Sequence, residues 1–111
     1  MTAPALSNAA ASLLRAIVAR SGAAHDQILL SNVRSTAWHS LTFDGERHHF
    51  ALHIVGSYAD AYAARLSHRL EDAEFSIPGI LVADIALGDG PDVLSDGSVV
   101  LSIEALTVDA R

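Results

Sequence analysis

The chain of 111 residues contains no cysteine, and this absence excludes disulfide frameworks, thiolate metal sites and thiol nucleophiles. Basic residues are also few: 7 Lys plus Arg residues against 13 Asp plus Glu residues give a formal net charge of −6. The densest basic cluster is Arg65 with Arg69. Because duplex binding needs a basic footprint that displaces counterions, the composition disfavours a direct nucleic-acid-binding role.

Long hydrophobic runs are absent too, because Ser12 and Arg15 interrupt the apolar residues that follow position 8. Residues 1–8 lack the basic side chains that begin an export signal. We therefore expect no export signal, no membrane-spanning segment and synthesis in the cytoplasm. The content of 50% hydrophobic and 18% charged residues predicts one globular domain over residues 1–111, with flexible ends at 1–5 and 110–111.

Two helices are predicted from apolar residues that recur every three or four positions. The first covers residues 6–20 and is followed by Gly22, a residue type that commonly ends helices. The second covers residues 58–73 and begins at a capping box formed by Ser57 and Asp60. Each helix has one apolar stripe, which predicts packing on one side of a core.

Residues 38–55 predict a β-hairpin, because Asp44-Gly45 lies between two segments of alternating apolar and polar residues. The predicted turn covers residues 43–46. In the second arm, alternation puts the apolar side chains on one face and a polar set on the other. That polar set is Arg47, His49 and His53.

Three further strands are predicted at residues 27–33, 80–87 and 98–108. The first leads into the hairpin, whose first arm begins at residue 36. The order is then helix, hairpin, helix, hairpin. It predicts an α+β fold of the type α-β-β-α-β-β, with an antiparallel or mixed sheet of four to five strands and both helices on one face.

The sheet face opposite the helices is predicted to be of mixed character. Alternation places Ile80 and Val82 on this face together with charged residues of several strands. The face is too apolar to be freely solvated and too charged for a core, which is typical of protein–protein interfaces. Its charges could pair within the chain or across subunits, and Trp38 could be an interface anchor or a core residue of the hairpin. The candidate interface residues are Trp38, Arg47, His49, His53, Asp84 and Glu104.

The motifs of common catalytic and metal sites are missing. In a strand, His49 and His53 share a face but lie roughly 13 Å apart, too far to hold one ion. The sequence has no His-Glu-x-x-His and no Gly-x-Ser-x-Gly motif, and Gly88-Asp89-Gly90 lacks the continuation of a nucleotide-binding loop. We therefore predict no catalytic residue, no cofactor and no metal site.

The predicted elements, taken in order, cover most of the chain. An Ala- and Leu-rich first helix precedes the hairpin, an Ala-rich second helix follows it, and Pro78-Gly79 leads into the next strand. In this pattern the chain resembles the small tail-terminator or tail-completion proteins of long-tailed phages and gene transfer agents. The segments that carry the resemblance are residues 38–48, 50–55, 70–73, 77–84, 96–101 and 103–106.

The resemblance implies a structural virion protein with no enzymatic activity. It implies a homo-hexameric ring that caps the tail tube, stops its growth and joins the tail tube protein to the head-side connector protein. DNA would pass through the lumen of the ring without specific binding, which suits an acidic chain. The implied location is the head–tail junction of a virion or gene-transfer-agent particle, after synthesis in a bacterial cytoplasm.

Two other classes of function remain open. One is a small dimeric α+β domain that binds or converts a ligand in a cleft between helices and sheet. Its acid and base groups would be His49, His53, Asp84 and Glu104. The other is a regulatory or adaptor module with no role in a particle.

Overall fold

The computed structural model describes residues 6–110, so the predicted flexible segment 1–5 and residue 111 lie outside the described part. Two helices, α1 (Asn8–Ser21) and α2 (Ala59–Ser67), accompany five strands. The strands are β1 (Ile28–His39), β2 (Asp44–Ile54), β3 (Ile80–Leu87), β4 (Asp92–Val93) and β5 (Val99–Asp109). Short 3-10 turns cover His25–Gln27 and Leu70–Asp72.

All strand pairs are antiparallel, and the sheet order is β1-β2-β5-β3, with β4 also pairing with β5. This confirms the predicted α+β fold and its element order. The two-residue strand β4 was not predicted. Neither described helix is long and apolar enough to cross a membrane.

Helix α1 forms where the sequence predicted it, with a defined cap at each end. The hydroxyl of Ser7 accepts a hydrogen bond from the backbone N–H of Ala10 at 3.1 Å. At the other end Gly22 adopts a left-handed conformation with φ 74°, which a residue without Cβ adopts at little cost. Leu13 and Ile17 of this helix are fully buried.

Helix α2 is shorter than predicted. It ends at Ser67, and Arg69 then adopts a left-handed φ of 51° that turns the chain so that Leu70 is buried. The predicted capping box is wrong, because Tyr58 is the N-cap residue and no side chain caps the helix. Asp60 instead accepts a hydrogen bond from the N–H of the next residue.

The hairpin turn also differs from the prediction. It covers residues 40–43, where the N–H of Ser40 donates to the carbonyl oxygen of Phe43 at 2.8 Å. Asp44 is already in β2 and pairs with His39 across the strands, with His39 Nδ1 and Asp44 Oδ1 2.8 Å apart. Gly45 therefore lies outside the turn. Glycine is required there because a Cβ at this position would clash with the backbone carbonyl of Thr107.

Two β-bulges set which side chains share a face. Strand β1 is continuous, and a bulge at Ser31 joins the two segments that were predicted as separate strands. In β3, Val82 pairs with Thr107 and Asp84 pairs with Leu106, so Ala83 is an extra residue. As a result, simple alternation was wrong for the start of β3. Ile80 and Val82 lie on the helix side of the sheet, and Leu81 lies on the opposite face.

The core lies between the two helices and one face of the sheet. Buried side chains of the two helices pack against the central strands β2 and β5, as the apolar stripes predicted. The opposite face of the sheet has no helix on it among the described residues. The largest fully buried side chains of the core are Leu13, Ile17, Phe50, Leu52, Ile54, Leu66, Leu70, Leu101 and Ile103.

Candidate interaction surface

We call the sheet face opposite the helices the uncovered face. The pairing of the strands places its residues in five rows that run across β1, β2, β5 and the β3–β4 edge. All six candidate interface residues lie on it. Across the sheet, the rows are Leu29, His53, Val100, Asp92; Asn32, Ala51, Ser102; Arg34, His49, Glu104, Ala86; Thr36, Arg47, Leu106, Asp84; and Trp38, Gly45, Val108, Leu81.

The charges of this face are separated by sign. The cations Arg34 and Arg47 project from β1 and β2, whereas Asp84 and Glu104 project from β3 and β5. Within residues 6–110, neither arginine has a carboxylate oxygen within 4.0 Å, and Asp84 has no basic nitrogen within that distance. Among residues 6–110, Arg34, Arg47 and Asp84 therefore form no ion pair within the chain.

Among the described residues of this face, the one contact within 4.0 Å between a basic nitrogen and a carboxylate oxygen is that of His49 with Glu104, and it is long. His49 Nδ1 lies 3.9 Å from Glu104 Oε1, and Nδ1 is buried without a hydrogen-bond partner among the described residues. The carboxylate itself is largely exposed. A buried nitrogen without a hydrogen-bond partner is unfavourable. The exposed carboxylate of Glu104 is accessible to a group of another molecule.

An open depression of about 380 Å³ occupies the middle of the face. Its lining combines both arginines with both carboxylates. Four of the eight lining residues on the uncovered face are charged, two of each sign, whereas small-molecule sites are mostly apolar with a few polar groups. The lining residues on the uncovered face are Arg34, Thr36, Arg47, His49, Asp84, Ala86, Glu104 and Leu106.

Apolar residues flank the charged middle. At one end, Trp38 is half-buried and shares a row with the buried Val108 and the exposed Leu81. At the other end, Leu29 is exposed and shares a row with Val100. Exposed apolar side chains beside complementary charges are a typical composition of a protein–protein contact.

His53 lies at one end of the face, away from the charged middle. Its Nε2 is 2.8 Å from the hydroxyl of Ser98, and that hydroxyl donates to Asp96 Oδ1 at 2.5 Å. The hydrogen bonds from Ser98 hold the pKa of Asp96 below its usual value. The serine stands between the carboxylate and the imidazole and is buried, so this chain of groups lacks the order of a nucleophilic triad, in which the histidine is central.

His48 lies on the helix side, as strand alternation predicted. Its ring stacks on Phe50 with centroids 5.8 Å apart. Nδ1 lies 2.8 Å from Ser35 Oγ and Nε2 lies 2.8 Å from Thr107 Oγ1, so the imidazole connects β1, β2 and β5. Burial lowers the pKa of His48, and the charge of Glu46 opposes that shift only in part. This histidine has a structural role.

The proposed catalytic cleft between helices and sheet does not contain the residues assigned to it. His49, His53, Asp84 and Glu104 all lie on the uncovered face, on the far side of the sheet from both helices. Within residues 6–110, no three His, Asp or Glu side chains are grouped as metal ligands.

Sequence reasoning missed Arg34 and Leu81 as members of this face. Arg34 fell in the gap between two predicted strands, although the alternation of Arg34, Thr36 and Trp38 was a signal that β1 is continuous. Because alternation placed Ile80 and Val82 on this face, it implied that Leu81 between them lies on the helix side, and no local signal in the sequence marks the bulge at Ala83 that reverses this. Comparisons with protein-family models, curated proteins and solved structures find no match to this chain.

Proposed function

We propose that this chain is a structural protein that forms a homo-hexameric ring at the head-proximal end of a phage-like tail tube. There it ends tail growth and joins the tail tube protein to the head-side connector. Its place would be the head–tail junction of a virion or gene-transfer-agent particle, after synthesis in a bacterial cytoplasm. The proposal combines the resemblance in sequence spacing with the properties of the uncovered face.

The observation that carries the proposal is the separation of unpaired charges on the uncovered face. Arg34 and Arg47 lie on one half, and Asp84 lies on the other half without a basic partner among residues 6–110. A surface with opposite charges on its two halves is complementary to a second copy of itself. Self-association is therefore the role that this face supports best.

A ring requires that each subunit contact its neighbours through two different patches. The cationic half and the anionic half of the sheet are two such patches on one subunit. When the same contact is repeated around an axis, the cationic half of every copy contacts the anionic half of its neighbour. This arrangement needs no catalytic group, in line with the proposed absence of enzymatic activity.

The negative net charge of the chain supports a ring through which DNA slides. With a net charge of −6 per copy, a ring repels the phosphate backbone on average and gives it few basic contacts. DNA would then pass through the lumen without specific binding. A lumen lined by arginines in the assembled ring would contradict this part of the proposal.

One observation favours a second candidate, a small dimeric ligand-binding or enzymatic domain. The depression of about 380 Å³ has the size of a small-molecule site, and His49, Asp84 and Glu104 lie at its edge. In this candidate, the ligand would be polar and would bind between the arginines and the carboxylates. A dimer that retains a co-purified small molecule would favour this candidate over the ring.

Charge reversal tests the ring directly. In the variant Asp84→Lys with Glu104→Lys, the anionic half becomes cationic and repels the cationic half of the next copy. We expect loss of higher oligomers by light scattering, with the thermal midpoint unchanged within about 4 °C because both carboxylates are exposed. A lower midpoint with assembly intact would overturn the proposal.

The matched control is Glu71→Lys with Glu74→Lys. Both residues are exposed and lie outside the sheet, and the double change alters the net charge by the same amount. Assembly of this control should equal that of the natural chain. If the control also fails to assemble, the loss reflects net charge and not the uncovered face.

A further inference from the structure

The sheet has two free edges. In the order β1-β2-β5-β3, and apart from an isolated bridge between Ile77 and Ile80 at the start of β3, the outer sides of β1 and β3 have no strand partner among residues 6–110. β1 is 12 residues long and β3 is 8 residues long, so each edge offers several unpaired backbone groups. Such an edge is a template for pairing with a strand of another molecule.

The two edges have the directions needed to pair with each other. Every neighbouring pair in the sheet is antiparallel, so β1 and β3 run in opposite directions. When a second copy in the same orientation is placed next to the β1 edge of the first copy, β3 of the second copy lies beside β1 of the first copy and runs antiparallel to it. Antiparallel pairing of β1 with β3 thus continues the sheet from one copy to the next.

The side chains of the two edges also match. On the uncovered face β1 carries Arg34 and β3 carries Asp84, and within the described residues neither has an ion-pair partner. If Arg34 is placed opposite Asp84, alternation puts Val33 opposite Ile85 on the helix side. Both of these apolar residues already contact the core of their own subunit. One register therefore pairs opposite charges on one face and apolar side chains on the other.

We propose that β1 of one copy pairs antiparallel with β3 of the next copy, with Arg34 opposite Asp84, and that this contact closes the ring. The inference rests on the proposed ring and names the strands that join its subunits. Charges and bulges on edge strands also serve to prevent unwanted pairing. Here the two edges carry opposite signs, so β1 and β3 attract each other, whereas two β1 edges or two β3 edges repel.

Engineered cysteines test the contact, because the chain has no cysteine of its own. The proposed register puts Asn32 opposite Ala86 of the next copy on the uncovered face, at the short Cα separation of cross-strand pairs that a disulfide can bridge. Within one chain, β2 and β5 separate β1 from β3, so residues 32 and 86 lie roughly 14 Å apart.

After oxidation, the double variant Asn32→Cys with Ala86→Cys should give a ladder of covalent species up to the hexamer on a non-reducing gel. Each single variant should stay monomeric, because a head-to-tail contact never brings two copies of the same edge together. A product that stops at the dimer would overturn the inference, since it indicates two sheets stacked face to face. Rings in electron micrographs without a ladder would overturn the inference while leaving the proposed ring intact. Absence of both rings and ladder would overturn both.

A charge exchange adds a second test. The single variants Arg34→Asp and Asp84→Arg each place like charges across the contact and should weaken association about fivefold per contact. The double variant restores an opposite pair and should recover assembly. If the double variant assembles no better than the single variants, Arg34 and Asp84 do not meet and the proposed register is wrong.

Discussion

His48 Nε2 lies 2.8 Å from the hydroxyl oxygen of Thr107, so a side-chain contact joins two central strands inside the protein. Both residues are almost completely buried, and the other ring nitrogen bonds to Ser35 on the third strand. The imidazole therefore fixes the relative position of β1, β2 and β5 where the long hairpin leaves the core.

This contact predicts a dependence of stability on pH. Burial lowers the pKa of His48 below the ordinary value of 6.5, so the unfolded chain binds this proton more readily than the folded chain. The stability contributed by neutral His48 is complete above pH 6.5 and decreases as the pH falls from there toward the lowered pKa.

Urea unfolding at pH 7.5 and pH 5.5 measures this effect. The natural chain should lose stability at pH 5.5, and His48→Phe should lose less, although it is less stable at pH 7.5 by about 1–3 kcal/mol because Thr107 loses its partner. The control is His68→Gln, which removes an exposed histidine outside the sheet. Equal pH dependence of all three proteins would show that His48 does not titrate in this way.

Leu52 tests the position of the core. It is fully buried on β2, so Leu52→Asp places a charge without a partner in the core and should abolish folding. Leu52→Ala should cost about 2–5 kcal/mol. The control is Leu29→Asp on the uncovered face, where the side chain is 47% exposed; circular dichroism should show this variant folded. A folded Leu52→Asp variant would contradict the assignment of the helix side.

Gly45 tests the close approach of β2 and β5. A methyl group at this position would meet the backbone carbonyl of Thr107, which cannot move without disturbing the ladder, so Gly45→Ala should cost more than about 2 kcal/mol. Gly97→Ala is the comparison, because that site has a φ of 86° but open space around the added methyl. It should cost about 1 kcal/mol. A smaller loss for Gly45→Ala than for Gly97→Ala in urea unfolding would contradict this account.

Local patterns in the sequence were sufficient for most of the fold. The 3.6-residue period and Gly22 determine α1, and the period of two in residues 80–87 and 98–108 locates β3 and β5 to within about one residue. These signals are local because each depends on a stripe of apolar residues within one element. The same alternation placed Arg47, His49, His53, Asp84 and Glu104 on one face before any strand order was known, whereas it left Trp38 open between that face and the core of the hairpin.

The errors came from features that depend on contacts between elements. The sequence Asp44-Gly45 has the composition of a turn, but the chain already turns at residues 40–43, and Gly45 is needed where β5 approaches closely. The bulge at Ala83 depends on pairing with β5, and it reverses the faces of Ile80 to Val82. Arg34 was missed for the related reason that the bulge at Ser31 hides the continuity of β1.

Electron microscopy of the purified protein, and of the particles in which we propose that the chain lies, tests the ring. The account predicts a six-fold ring of this chain at the junction of head and tail, and tails of uncontrolled length when the chain is absent. A particle whose head–tail junction lacks this chain, or a purified protein that forms only dimers with a bound small molecule, would contradict it.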